Sequence, residues 1–313
     1  MLALAAPASG TVPKVDFFRW VPHPEVWLLV ASVIALYVWA GRVIGPKVVR
    51  PGQPVYTRKQ IGCFIAAVIM LEGAADWPVH DIGEKYLYSV HMCQHLVLTL
   101  FMPPLLLIAT PEWLARLLLG KGRVNAAVHR LARPVIAGAI FNVLILASHA
   151  PWVVDTASTH GLFHFGVHTV LVTSALLFWL PVCGPLPEIR MSMPAQMLYL
   201  FVASIVPTVP GAWLIFASGA VYKVYDIPQR LWGVSVTSDQ QAAGAIMKLI
   251  GGTYLWVIDA SIFFRWAGRH EEASRLGIEP TELEVLTWDE VRQEFEAHPA
   301  PAEPPLPKLG PPT

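Results

Sequence analysis

Residues His91 to Pro111 read HMCQHLVLTLFMPPLLLIATP, and the fold turns on this stretch. At 1.5 Å rise per residue, about 20 apolar residues cross the hydrocarbon core of a bilayer, so the run is long enough to span it. Its first turns carry His91 and His95, four apart and therefore on one helix face. Met102, eleven beyond His91, returns to nearly the same azimuth in a regular α-helix. Ionisable side chains inside a membrane are expensive. Two at helical spacing mark a functional site, unless both are merely wetted at headgroup level.

Working outward, the 313 residues are 55% hydrophobic and only 14% charged, where a soluble domain carries about 25% charged residues. The mean hydropathy is positive. The chain reads as an all-α, polytopic membrane protein. Lys+Arg and Asp+Glu balance at 22 each, and no basic block or basic-aromatic stripe points to nucleic acid. Cys63, Cys93 and Cys183 are scattered among apolar runs with no CxxC, which indicates neither a disulfide framework nor a thiol clamp.

Seven apolar segments are expected to form a transmembrane bundle: Val26–Ile44, Ile61–Ala75, Tyr88–Ala109, Pro134–His149, Gly161–Val182, Ala195–Ala217 and Ala242–Trp266. Residues 1–25 precede it, 26–266 make the bundle, and 267–313 form a tail. Lys47, Arg50, Arg58 and Lys59 follow the first segment, and Arg116, Lys121, Arg123, Arg130 and Arg133 follow the third. The positive-inside rule then puts the N-terminus outside and the tail in the cytoplasm. The sparse basic residues of the later loops, Arg190, Lys223 and Arg230, vote weakly against that scheme. In the tail, Thr287-Trp288-Asp289-Glu290 has the form of a capping box for a short helix. The Pro-rich end beyond His298 reads as disordered. Pro207, Pro210 and Gly211 predict a kink in the sixth segment.

On this topology seven of the eleven histidines gather toward the outer third of the bundle: His80, His91, His95, His149, His160, His164 and His168. His160, His164 and His168 recur every fourth residue along one helix face. Imidazole suits copper, zinc and iron, and thioether sulfur favours Cu(I). The outer loops lack the convergent carboxylates that calcium or magnesium needs. The best chemical match is a Cu(I) site from histidines of the third and fifth segments, completed by Met247 or Met102. Asp239, Gln240 and Gln241 are placed to hold an imidazole tautomer from a second layer. Lys248, a cation two and a half turns into the seventh segment, pairs with a carboxylate, lines a wet cavity or snorkels. For each residue a purely structural reading stands beside the ligand reading, and for methionine that reading is packing.

These blocks together resemble the CtaG family of cytochrome c oxidase (caa-type) assembly factors. YLYSVHMCQHLVLTLFMPPLLLIATP (86–111) is similar to its S-x-H-M-x-Q-H…P-P-L-L helix, and HFGVHTVLVTSALLFWLPV (164–182) to its H…H…F-W-x-P helix. MLYLFVASIVPTVPG (197–211) and SDQQAAGAIM (238–247) resemble its last two helices. The resemblance places the family's histidine pairs on His91/His95 and His164/His168, its Asp-Gln on Asp239 and Gln240, and its methionine on Met247. Lys248 departs from the aromatic residue common there. What the resemblance implies is a non-enzymatic factor of the bacterial cell membrane. Its partners would be oxidase subunits or a periplasmic copper chaperone, besides the lipid bilayer. Three other readings stay open: a b-type cytochrome with haem between the two histidine helices, a copper or proton transporter, and a scaffold whose histidines satisfy one another. No nucleophile elbow, phosphate loop or zinc-protease motif suggests catalysis.

Overall fold

The computed structural model of the chain describes residues 19–277, and the described residues are helical with no strand. The tail's capping box and Pro-rich end lie outside the described residues. Two compact units separate at Ile262/Phe263. All the histidines considered below belong to the first.

The apolar runs become helices where expected. In chain order these are α1 (Pro24–Val48), α2 (Arg58–Ala75), α3 (Val79–Lys85), α4 (Tyr88–Ala109), α5 (Glu112–Leu119) and α6 (Arg123–Leu131), then α7 (Pro134–Ser148), α8 (Pro151–Thr159), α9 (Gly161–Cys183), α10 (Met193–Ala203), α11 (Thr208–Ile215) and α12 (Val236–Leu276). Five spans are long and apolar enough to cross a membrane: α1, α4, α9, the α10–α11 pair and α12. Two bent pairs, α2–α3 at 41° and α6–α7 at 77°, raise the number to seven if each is one span. The outward face is strongly apolar, with Val135 84%, Leu162 87% and Phe216 84% exposed. Such residues facing outward in quantity suit lipid as solvent.

Sequence chemistry sets several boundaries. Thr57 caps α2 through a capping box with Gln60, and prolines open α1, α7 and α8, where a missing N–H costs nothing. The sixth apolar segment is interrupted at 204–207, as Pro207 and Pro210 predict. Beyond the break α11 lies close against α12. A Cβ added to Gly244 would sit 2.5 Å from the Gly211 carbonyl oxygen and 2.9 Å from Leu214 Cβ, so only glycine admits this approach. The core between α4, α7, α9, α10 and α12 is filled by Leu100, Phe141, Phe178, Trp179, Leu200 and Leu255.

Short helices α3, α5, α6 and α8 occupy stretches read from sequence as loops. Three π-turns interrupt the long helices, at Ala40–Ile44, Val97–Phe101 and Met247–Gly251. The second of these overturns the alignment of Met102 with His91. A π-turn absorbs one extra residue, which rotates everything beyond it by about 100° relative to a regular helix. Met102 consequently packs with Ala67, Ala74 and Leu98 against α2, away from the histidines.

Candidate metal centre

Three helices carry the histidines to one end of the bundle: α3 brings His80, α4 brings His91 and His95, and α9 brings His164 and His168. The rings form a connected series. Centroids are 4.4 Å apart for His91 and His95, 4.7 Å for His95 and His168, 5.6 Å for His91 and His168, 4.4 Å for His164 and His168, and 5.6 Å for His80 and His164. Two groups stand out within it. One ligand atom each from His91, His95 and His168 lie within 4.8 Å of one another, and the same holds for His80, Glu84 and His164.

The first group fits a metal. Nitrogens sharing one ion at about 2.0–2.1 Å lie at most about 4.2 Å apart, so small side-chain rotations suffice. His95 and His91 Nε2 are 2.9 Å apart; one ring's N–H donates to the other's lone pair, a proton that a metal would replace. Among the described residues His91 Nδ1 and His168 Nε2 are buried without a hydrogen-bond partner, a costly condition in an apolar interior. The adjoining cavity is about 20 Å3 and is lined by His91, His95, His149, His164, His168 and Tyr88 among others, room for a single water- or ion-sized occupant. Beneath it a second cavity of about 50 Å3 is bordered by Met92, His95, His149, Met247, Thr208 and Lys248.

The other residues singled out in the sequence divide. His149 lines both cavities; its Nδ1 donates to the Ile145 carbonyl at 2.7 Å and its Nε2 is buried without a partner. Met247 is buried beside Met92 and faces the lower cavity, outside both three-residue groups. His160 is exposed at the start of α9, its ring against Thr156 and Thr159, because it stands one residue before the helix and points away from the bundle's interior.

Asp239, Gln240 and Gln241 hydrogen-bond to backbone groups and a hydroxyl rather than to imidazoles. Asp239 accepts hydrogen bonds from Tyr88 N (2.6 Å), Ser89 N (3.1 Å) and Ser89 Oγ (2.5 Å). It thereby caps α4 from across the bundle. A carboxylate is favoured there because helix N-termini carry positive partial charge, and Asp239 lies in the first turn of its own helix too. Gln240 accepts from Val221 N and Tyr222 N and donates to the Tyr222 carbonyl; Gln241 donates to the Ala217 carbonyl. Both tie down the connection leading into α12. Among the described residues Lys248 pairs with no carboxylate; its Nζ donates to Thr208 Oγ1 at 2.7 Å.

Four contributors escaped the sequence reading. Glu84 belongs with His80 at i, i+4 on α3, a signal hidden by taking 76–87 as a loop. Gln94 is 1% exposed and its amide Nε2 donates to His80 Nδ1 at 2.9 Å. Trp179 Nε1 donates to the Thr99 carbonyl inside the π-turn at 3.1 Å, pinning α9 to α4. Tyr222 donates to the His149 carbonyl at 2.9 Å. Burial pushes its phenol up to about 12, so it stays a donor at neutral pH.

The family model for cytochrome c oxidase caa3 assembly factors matches residues 35–269, well over half of the chain. The chain belongs to the CtaG family. No curated protein and no solved structure matches it. The family match covers every helix that contributes to the two groups. In this CtaG member His23 falls outside the matched residues, yet it reaches the same end of the bundle. Its ring stands edge-on to His80 at 5.1 Å, with Nε2 2.9 Å from Asp81 Oδ2. Burial alone would lower the His23 pKa, but the Asp81 and Glu25 carboxylates outweigh it and raise it.

Proposed function

We propose that this CtaG-family chain serves cytochrome c oxidase assembly by holding Cu(I) at His91, His95 and His168 and passing it to an oxidase subunit. The observation that carries the reading is the convergence of three imidazoles from α4 and α9, with partnerless buried nitrogens, on a cavity of ion size. Copper is cargo here. Three neutral donors balance no more than the single charge of a cuprous ion cheaply in a low-dielectric interior, and soft or borderline ligands suit it. An incomplete coordination shell lets the ion leave, which a transfer site requires.

The residues divide the work. His91 and His95, one turn apart, set a fixed pair of donors; His168 closes on them from α9. Trp179 and the Thr99 carbonyl hold the two helices in register. Asp239 fixes the start of α4, three residues before His91. The protein, in this reading, crosses a bacterial cell membrane seven times with its N-terminus outside. That orientation puts the histidine end on the side of a periplasmic copper chaperone or of the oxidase's extracytoplasmic copper centre.

Haem is the poorer occupant, because cavities of about 20 and 50 Å3 do not accommodate a macrocycle. A transport path is disfavoured because the lower cavity is lined mostly by apolar side chains, among them Leu96, Leu100, Phe141, Phe178 and Leu255. The test is metal analysis of protein purified with Cu(I) under reducing conditions. Wild type is expected to retain copper and His91→Ala, His95→Ala and His168→Ala to lose it. Equal copper in wild type and variants defeats the proposal, and a Soret band that shifts on dithionite establishes haem instead.

A further inference from the structure

The ring series does not end at the three-histidine group. We propose that His80, Glu84 and His164 form a second, separate metal site, selective for a divalent ion of the borderline class, Zn2+ or Cu2+. It does not depend on which ion the first group holds.

Glu84 straddles two imidazoles from different helices. Its Oε2 is 3.3 Å from His80 Nε2, and its Oε1 is 3.6 Å from His164 Nδ1. The second distance is too long for a hydrogen bond. His164 is 7% exposed; its ring interacts with the Ala157 backbone, but among the described residues neither nitrogen makes a hydrogen bond of good geometry. A buried imidazole without a well-formed hydrogen bond, beside a carboxylate that stops short of it, is poorly explained as packing. It is well explained as a ligand whose ion would close the gap. Two histidines and one glutamate with a fourth position free is a donor set that zinc accepts.

Charge separates the two groups. The three-histidine set is neutral, so a divalent ion there would keep its full charge in a poorly polarisable interior. Glu84 supplies one negative charge and halves that burden at the second set. Gln94 fits the same role. Its Oε1 is buried and without a partner while its Nε2 donates to His80 Nδ1. Rotating the amide by half a turn lets Oε1 accept from a protonated Nδ1, which frees the His80 Nε2 lone pair for an ion. Such a contact orients a ligating ring. Gln94 is a positioning residue in this account.

The experiment uses the full chain in detergent and Co2+ as an optical probe, with Zn2+ as competitor. Wild type is expected to bind one Co2+ with visible d–d absorption and to lose it to Zn2+. Glu84→Gln should abolish the signal while Cu(I) loading under reductant is unchanged, which also certifies its fold. His95→Ala should keep the Co2+ signal. Gln94→Leu should weaken Co2+ binding about 10–100-fold, and it decides the matter if Glu84→Gln elutes as an aggregate. An unaltered Co2+ spectrum and affinity in Glu84→Gln, or loss of the signal in His95→Ala, overturns the second site. Failure of wild type to take Cu(I) while Co2+ binding persists defeats only the copper proposal.

Discussion

Replacing Asp239 by alanine removes at one stroke the three hydrogen bonds that start α4. The carboxylate is 3% exposed and Tyr88 only 1%, so water does not simply substitute. Losing an N-cap acceptor typically costs about 0.5–2 kcal/mol. Here two backbone N–H groups are also left unpaired, at about 1–3 kcal/mol each. Relaxation of the first turn returns part of that, and a net destabilisation of about 3–5 kcal/mol is expected. Asp239→Asn keeps one acceptor but turns an NH2 toward donors, and should cost about half as much. Ser89→Ala deletes only the hydroxyl bond and should cost about 1 kcal/mol.

The assay is SDS-induced unfolding from mild detergent micelles, followed by helical circular dichroism, with copper retention measured on the same samples. Copper affinity should fall in the same order as stability, because the cap acts through the placement of His91. An Asp239→Ala variant within 1 kcal/mol of wild type refutes the reasoning. So does Ser89→Ala matching the full aspartate deletion. If instead Asp239→Asn abolished copper binding with stability intact, Asp239 would be acting on an imidazole directly.

Other consequences are independent of that cap. Gly244→Ala forces α11 and α12 apart at the Gly211 carbonyl and should destabilise by about 1–3 kcal/mol, read in the same unfolding assay. Trp179→Phe strands the Thr99 carbonyl at about 1–2 kcal/mol and should loosen copper as α9 slips against α4. His160→Ala should leave copper and Co2+ stoichiometry unchanged, since its ring turns outward; loss of either metal would move the site. The Glu188 carboxyl is held below its ordinary value by its own backbone N–H and by Arg116, which donates from Nη1 and Nη2 at 2.9 and 3.2 Å. A depressed carboxylate stabilises above its ordinary pKa and loses that contribution as pH falls through the depressed value. Glu188→Gln should therefore flatten the acid limb of a melting-temperature profile between pH 6 and 3, slightly, because the pair is exposed.

How much of this was legible in the chain differs by residue. His91, His95, His164 and His168 were visible because i, i+4 spacing survives in any regular helix, and their convergence follows once two such helices are neighbours. The long apolar runs gave their helices for the same reason. Glu84 was missed because a seven-residue helix carries too short a period to register. Asp239 was visible as a residue but not as a cap, since its partners are 150 and 151 positions away. No local pattern encodes a contact at that separation.

Met102 marks the remaining boundary of sequence reading, and it bears on how the site is built. An azimuth argument counts residues and assumes 3.6 per turn; the π-turn at Val97–Phe101 breaks that count one turn below His95. The third π-turn, Met247–Gly251, lies on α12 against it: a Cβ on Gly251 would sit 3.2 Å from Leu96 and 3.5 Å from Leu100. Each π-turn disturbs the regular carbonyl ladder, and the disturbed α4 turn is where Thr99 Oγ1 donates to the His95 carbonyl and Trp179 donates to Thr99. At the irregularity α4 thus gains one cross-link, from Trp179 on the helix bearing His168 to the Thr99 carbonyl. The irregularity also turns the helix below His95 so that leucines, not Met102, floor the cavity. Removing the extra residue, for example by deleting Leu98, should restore 3.6 residues per turn and leave Met102 facing α2, because it would then stand ten residues beyond His91, about 80° off that azimuth. Retained copper with an unchanged all-nitrogen shell, read by X-ray absorption, is the outcome this geometry demands; a sulfur contribution would mean the π-turn does not set the azimuth.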